Sequence, residues 1–120
     1  MSVYGGNIFE ENVYKATIVR HIDADTTVVD IDPGFDLTIR KTVRWAGINA
    51  AEKNTPEGKE ALAFVMEAMP VGSAVMLIST KSTRDKYGRY LASFFLEGDY
   101  VDFGQRLIER GWATPYVGRQ

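Results

Sequence analysis

The stretch LTIRKTVRWAGINAAEKNTPEGKEALAFVMEAM at residues 37–69 changes its period part-way along, and that change decides the fold class. In its first part Leu37, Ile39, Val43 and Trp45 alternate with Thr38, Arg40, Thr42 and Arg44. This is the period of two of a strand with one face on a core. Lys41 interrupts the apolar face, which predicts a bend or bulge there. At Thr55 the period becomes helical. Thr55 suits an N-cap, Pro56 the first turn, and Glu57 the positive end of the helix dipole. Leu62, Val65, Met66 and Met69 follow at i, i+3, i+4 and i+7, with Ala61 and Ala68 beside them, and Pro70 ends the run.

Upstream, Tyr14, Ala16, Ile18 and Ile22 share one face of a strand. Lys15, Thr17, Val19 and His21 share the other, which predicts that His21 points outward. Thr26 to Asp32 is β-branched and makes a second strand, and Asp32-Pro33-Gly34 supplies the turn after it. Downstream, Ala74 to Thr80 and Tyr90 to Leu96 read as strands, followed by a turn at Glu97-Gly98-Asp99. Asp102-Phe103-Gly104-Gln105 resembles a capping box opening a helix through Leu107 and Ile108 that stops at Gly111. Three strands, a helix, two strands and a helix fit an α+β, mainly β architecture. The expected form is a five-stranded Greek-key barrel, the OB-fold, with two helices. Closure suits so short a chain because it leaves few free strand edges. Residues 1–13 read as a flexible N-terminal tail and 14–120 as a single domain.

The 120 residues are 45% hydrophobic and 25% charged, the balance of a chain that buries a core. With no cysteine, disulfides, thiolate metal sites and thiol nucleophiles are excluded. A lone histidine leaves no site built on two imidazoles and makes a Ser-His-Asp arrangement improbable. The net charge of −2 argues against nucleic-acid binding by a blanket of positive charge. If phosphate is the partner, a few placed arginines and a metal must do the work. No apolar run reaches membrane-spanning length, and the N-terminus lacks the layout of a signal peptide. The expectation is a cytoplasmic protein without a membrane partner, and no oligomer is implied.

Three polar clusters offer chemistry. In Ile22-Asp23-Ala24-Asp25-Thr26, two carboxylates at a strand end can turn oxygens to one hard cation, although a plain turn uses the same residues. Arg44 to Glu52 offers a guanidinium, the amide oxygen of Asn49 and a carboxylate, which singly are also the solvated groups of an ordinary surface. Arg84 to Tyr90 surrounds a glycine with cations and aromatic rings, as either a phosphate clamp or a charged hairpin tip would.

In this order IDADT at 22–26, VRWAGINAAE at 43–52 and DKYGR at 85–89, with LIERGWA at 107–113, resemble the staphylococcal nuclease (thermonuclease) family. The resemblance implies an OB-fold and metal-dependent cleavage of phosphodiester bonds in DNA or RNA. The substrate would be single-stranded or locally opened. One divalent cation is implied, Ca²⁺ first, with Mg²⁺ or Mn²⁺ as alternatives. Asp25 matches the metal-ligating aspartate and Asp23 the acidic residue near it. Asn49 stands where a second metal-ligating aspartate is found, and Ala50 where a backbone carbonyl is offered. Glu52 matches the general base, and Arg44 and Arg89 match the phosphate-binding arginines. Lys86, Tyr87 and Tyr116 match nucleotide-contacting positions. Two departures bear on the chemistry. Asn49 removes one negative charge from the cation site. Ala51 replaces the usual proline before Glu52, which predicts a looser base. A catalytically silent OB-fold that binds nucleic acid or a protein is the alternative. A stand-alone, unsecreted version is expected in a bacterium or a virus of one.

Overall fold

The computed structural model describes residues 12–84 and 89–116. Its elements are β1 (Val13–Asp23), β2 (Thr26–Asp32), β3 (Ile39–Trp45), β4 (Ile48–Ala50), α1 (Pro56–Ala68), β5 (Ala74–Arg84), β6 (Tyr90–Leu96), α2 (Phe103–Glu109) and β7 (Ala113–Pro115). Strands β1, β2, β3, β6 and β5 close into a barrel, and β4 and β7 pair as a separate small sheet. The β3–β6 pairing is parallel and the others are antiparallel. This is the five-stranded α+β barrel with two helices that the strand count implies, of the OB-fold kind. Residues 1–11, most of the expected tail, lie outside the described residues.

The departures from the expected strands have local causes. β3 starts at Ile39 because Gly34, Phe35 and Asp36 all have positive φ (95°, 58° and 58°), which prolongs the turn and leaves Leu37 exposed. Lys41 carries no bulge, since the β2–β3 register runs unbroken from Ile31↔Ile39 to Thr26↔Arg44. Its ammonium lies 5.4 Å from the centre of the Tyr90 ring instead. The irregularities fall in β1, where the register shifts between Ile18 and Arg20 and again between His21 and Asp23. An extra residue in a strand reverses which side chains face the core. After the first shift Arg20 points to solvent and His21 turns inward.

His21 is therefore not on the outward face. Its Nε2 lies 2.8 Å from the Met69 carbonyl and its Nδ1 2.9 Å from Thr27 Oγ1. The carbonyl only accepts, so Nε2 carries the proton and the fully buried Thr27 hydroxyl donates to Nδ1. Trp45 Nε1–H completes the chain by donating to Thr27 Oγ1 at 3.0 Å. Burial holds the imidazole pKa below its ordinary value, partly opposed by the Met69 hydrogen bond.

The core is centred on Trp45, which is 1% exposed and stacks on Phe94 with ring centres 4.4 Å apart. Phe103 of α2 meets Trp45 edge-on at 6.0 Å and stacks on Phe64 of α1 at 5.4 Å, which seats both helices against the barrel. Along α1 the buried stripe runs through Ala61, Val65 and Met69, whereas Met66 is half-exposed. Thr55 caps α1 by accepting the Gly58 N–H at 3.0 Å, and Asp102 caps α2 by accepting the Gly104 N–H at 2.9 Å. Gly111, with φ of 80°, ends the second helix. No helix among the described residues is long and apolar enough to cross a membrane.

Candidate functional site

The candidate site is set by strand pairing. The turn between β1 and β2 ends at Thr26, and the β2–β3 register puts Thr26 opposite Arg44. The parallel β3–β6 pairing sets Val43 beside Tyr90 and Arg44 beside Leu91, which brings the preceding Arg89 to the same end of the barrel. After Trp45 the chain reverses through Gly47 at φ 79°, a conformation that favours glycine, and enters β4 with Asn49 and Ala50.

These elements gather one polar cluster. Arg44 Nη1 lies 3.0 Å from Asp25 Oδ2, with both side chains almost nine-tenths buried. Its Nη2 donates to Asn49 Oδ1 at 3.3 Å. Asp25 Oδ2 also accepts the Ala50 N–H at 2.9 Å. Thr26 Oγ1 donates to Asp25 Oδ1 at 3.3 Å and accepts from Arg89 Nη1 at 3.4 Å. Four segments of the chain thus meet around Asp25 and Thr26. Hydrogen-bonded residues alternate along an antiparallel pair. Ala51 N–H donates to the Trp112 carbonyl at 2.9 Å, and Ala50 accordingly turns its N–H away from β7, toward Asp25. The carbonyl of a strand residue points to the same side as its N–H, so the Ala50 carbonyl faces that side too.

The donor set suits a hard cation in kind: a carboxylate at Asp25, an amide oxygen at Asn49 and a backbone carbonyl at Ala50. Asp23 is half-buried at the end of β1. Among the described residues no three His, Cys, Asp or Glu side chains cluster. A cation would therefore depend on the neutral oxygens, and Arg44 would have to give up its place between Asp25 and Asn49.

Glu52 follows this cluster by two residues and is exposed. Its carboxylate has no hydrogen-bond or ion-pair partner among the described residues. Its backbone is held firmly. The Glu52 carbonyl accepts from Thr55 Oγ1 at 2.7 Å and from Thr55 N–H at 3.0 Å. Gly58 leaves no room for a side chain, because a Cβ there would collide with the Glu52 carbonyl. Tyr116 follows β7 and donates its N–H to the Gly47 carbonyl at 2.8 Å, on the far side of β4 from Asp25. Lys86 and Tyr87 lie outside the described residues.

A family model, described as staphylococcal nuclease homologue, matches residues 42–120. The chain belongs to that family. The match spans Arg44, Asn49, Glu52 and Arg89 but begins after Asp23 and Asp25. Those two are tied to the matched part by the barrel, through Arg44 and Ala50. No curated protein matches the chain.

Sequence reasoning passed over four contributors. Thr26 joins Asp25 to Arg89, Trp112 and Thr55 hold the Glu52 segment, and Gly58 makes space for it. A signal for the last was present. A glycine inside an amphipathic helix costs about 1 kcal/mol relative to alanine, and such a residue usually answers a packing need.

Proposed function

We propose that the protein is a metal-dependent nuclease that hydrolyses phosphodiester bonds of DNA or RNA in single-stranded or locally opened substrate. The observation that carries this reading is the convergence of Arg44, in β3, and Arg89, just before β6, on the two-residue segment Asp25-Thr26. Two guanidiniums at one end of a barrel match the doubly charged oxygens of a phosphodiester passing through attack. The family relationship supports the same substrate class.

In this reading Glu52 takes the proton from an attacking water. Its exposure suits that role, since the carboxylate is open to both water and substrate. Arg44 and Arg89 stabilise the charge that grows on the phosphoryl oxygens, and losing one such donor costs about 3 kcal/mol, or roughly a hundredfold in rate. Asp25, the Asn49 amide oxygen and the Ala50 carbonyl, with Asp23 beside them, would hold the cation, Ca²⁺ first. When bound, it supplies polarisation of a phosphoryl oxygen. Lys86, Tyr87 and Tyr116 are the proposed nucleotide contacts, the tyrosines by stacking or hydrogen bonding.

One feature favours the second reading, a silent binding module: Asn49 is neutral and its oxygen is already engaged by Arg44. Incubation of the protein with a single-stranded oligonucleotide and Ca²⁺, Mg²⁺ or Mn²⁺, with and without EDTA, separates the two. Cleavage that EDTA abolishes is the expected result. Cleavage indifferent to EDTA would defeat the metal mechanism, and binding without cleavage would favour the silent module.

A further inference from the structure

We propose that Glu52 is aimed through its backbone by a clamp in which Thr55, Gly58 and the N–H of Ala51 are positioning elements, an inference that rests on the reading of Glu52 as general base. A base must hold its reacting oxygen within a fraction of an ångström of the productive position, and misplacement by about 1 Å can cost a hundredfold. The Glu52 side chain is exposed, and its carboxylate has no polar partner among the described residues, so its aim must come from the main chain.

Three restraints converge there. Immediately before Glu52, Ala51 N–H donates to the Trp112 carbonyl at 2.9 Å. A proline at 51 would have no such donor. The flexibility gained by losing the proline ring is thus offset by a tether to the far end of α2. Trp112 is itself anchored on α1, packing on Phe64 at 5.2 Å and donating Nε1–H to Glu60 at 3.3 Å. At Glu52 itself, Thr55 uses its hydroxyl twice: the O–H donates to the Glu52 carbonyl at 2.7 Å while the oxygen accepts the Gly58 N–H at 3.0 Å. The Thr55 backbone N–H adds a second bond to the same carbonyl. Gly58 completes the clamp by omission, letting the Glu52 carbonyl lie against the first turn of α1. One hydroxyl therefore both caps the helix and fixes the residue that would act as base.

The dual use of that hydroxyl makes the clamp separable from helix capping. Aspartate caps as well as threonine does but has no proton to donate to a carbonyl. Thr55→Asp should keep the melting midpoint within about 3 °C while lowering kcat about tenfold with little change in KM. Thr55→Ser, which keeps the O–H, should restore the rate. In a Glu52→Gln background Thr55→Asp should have no further effect, because a clamp with no base to aim is silent. Gly58→Ala, which keeps the Thr55 hydroxyl but displaces the Glu52 carbonyl that it bonds, should show the same loss of kcat and the same silence. An unchanged kcat in both Thr55→Asp and Gly58→Ala would overturn the clamp, as would a loss that carries over in full to the Glu52→Gln background. Glu52→Gln as fast as the unsubstituted protein would instead overturn the reading of Glu52 as base.

Discussion

The β2–β3 ladder carries one aspartate–arginine pair along its length and a second at its end, where Asp25 precedes β2, and the two differ in almost every respect. Asp30 and Arg40 sit directly opposite each other, and Arg40 grips the carboxylate with two hydrogen bonds, at 2.7 and 3.0 Å. The Arg40 side chain is 64% exposed, and water and salt weaken the pair. Asp25 and Arg44 make one contact between their side chains, at 3.0 Å, yet both are almost nine-tenths buried and each is drawn into further bonds: Arg44 to Asn49, Asp25 to Ala50 and Thr26. The pair with the better geometry closes on itself. The other opens onto a cluster that includes a second arginine, and it is this sharing on which the proposed phosphate site rests.

Arginine removal should expose this contrast most strongly. Arg44→Ala leaves the Asp25 carboxylate buried without its cation, and we expect a loss of about 3 kcal/mol in denaturant unfolding. Cleavage should fall about a hundredfold beyond any effect of unfolding. Arg40→Ala should leave both midpoint and cleavage unchanged. Equal effects of the two substitutions would erase the distinction.

His21 adds a buried titratable group whose response has a definite sign. Burial lowers its pKa from 6.5, so the unfolded chain binds the proton more readily. The stabilising contribution is complete above pH 6.5 and is lost as pH falls through the folded-state value. Protonation also turns His21 Nδ1 into a donor, so the Thr27 O–H loses its acceptor. Thermal midpoints recorded between pH ~7.5 and ~5 should fall, and His21→Gln should flatten that slope. The exposed Asp30–Arg40 pair should contribute nothing in that window, because its carboxylate pKa lies below the ordinary 3.8.

A smaller effect is expected at the junction of the site with α2. Ala51→Pro removes the donor to the Trp112 carbonyl and should cost about 1 kcal/mol by denaturant unfolding. A variant as stable as the parent would mean that the 51–112 hydrogen bond holds nothing in place.

Much of this was legible in the residues, and the exceptions have physical reasons. β1 and β3 declared themselves by a period of two, β2 by its β-branched residues, and Thr55, Pro56 and Glu57 signalled the start of α1 through cap chemistry. β4 and β7, with three residues each, are too short to carry a period, so no strand shows in the sequence at Asn49 and Ala50. The bulges in β1 have no residue type that signals them, and the first of them turns His21 inward. At the candidate site the ordered motifs named Asp25, Arg44, Asn49 and Arg89, which the barrel brings together. Of the support beneath Glu52 only Gly58 left a sign, as a glycine inside a helical pattern, whereas the hydrogen bonds of Thr55 and Ala51 depend on where the chain folds back.

The most direct test of the central claim is the single-turnover rate of oligonucleotide cleavage by the parent protein and by Glu52→Gln, side by side with saturating Ca²⁺. We expect the substitution to slow cleavage about a hundredfold or more while oligonucleotide affinity is kept, as removal of a general base does. Equal rates in the two proteins would contradict the account.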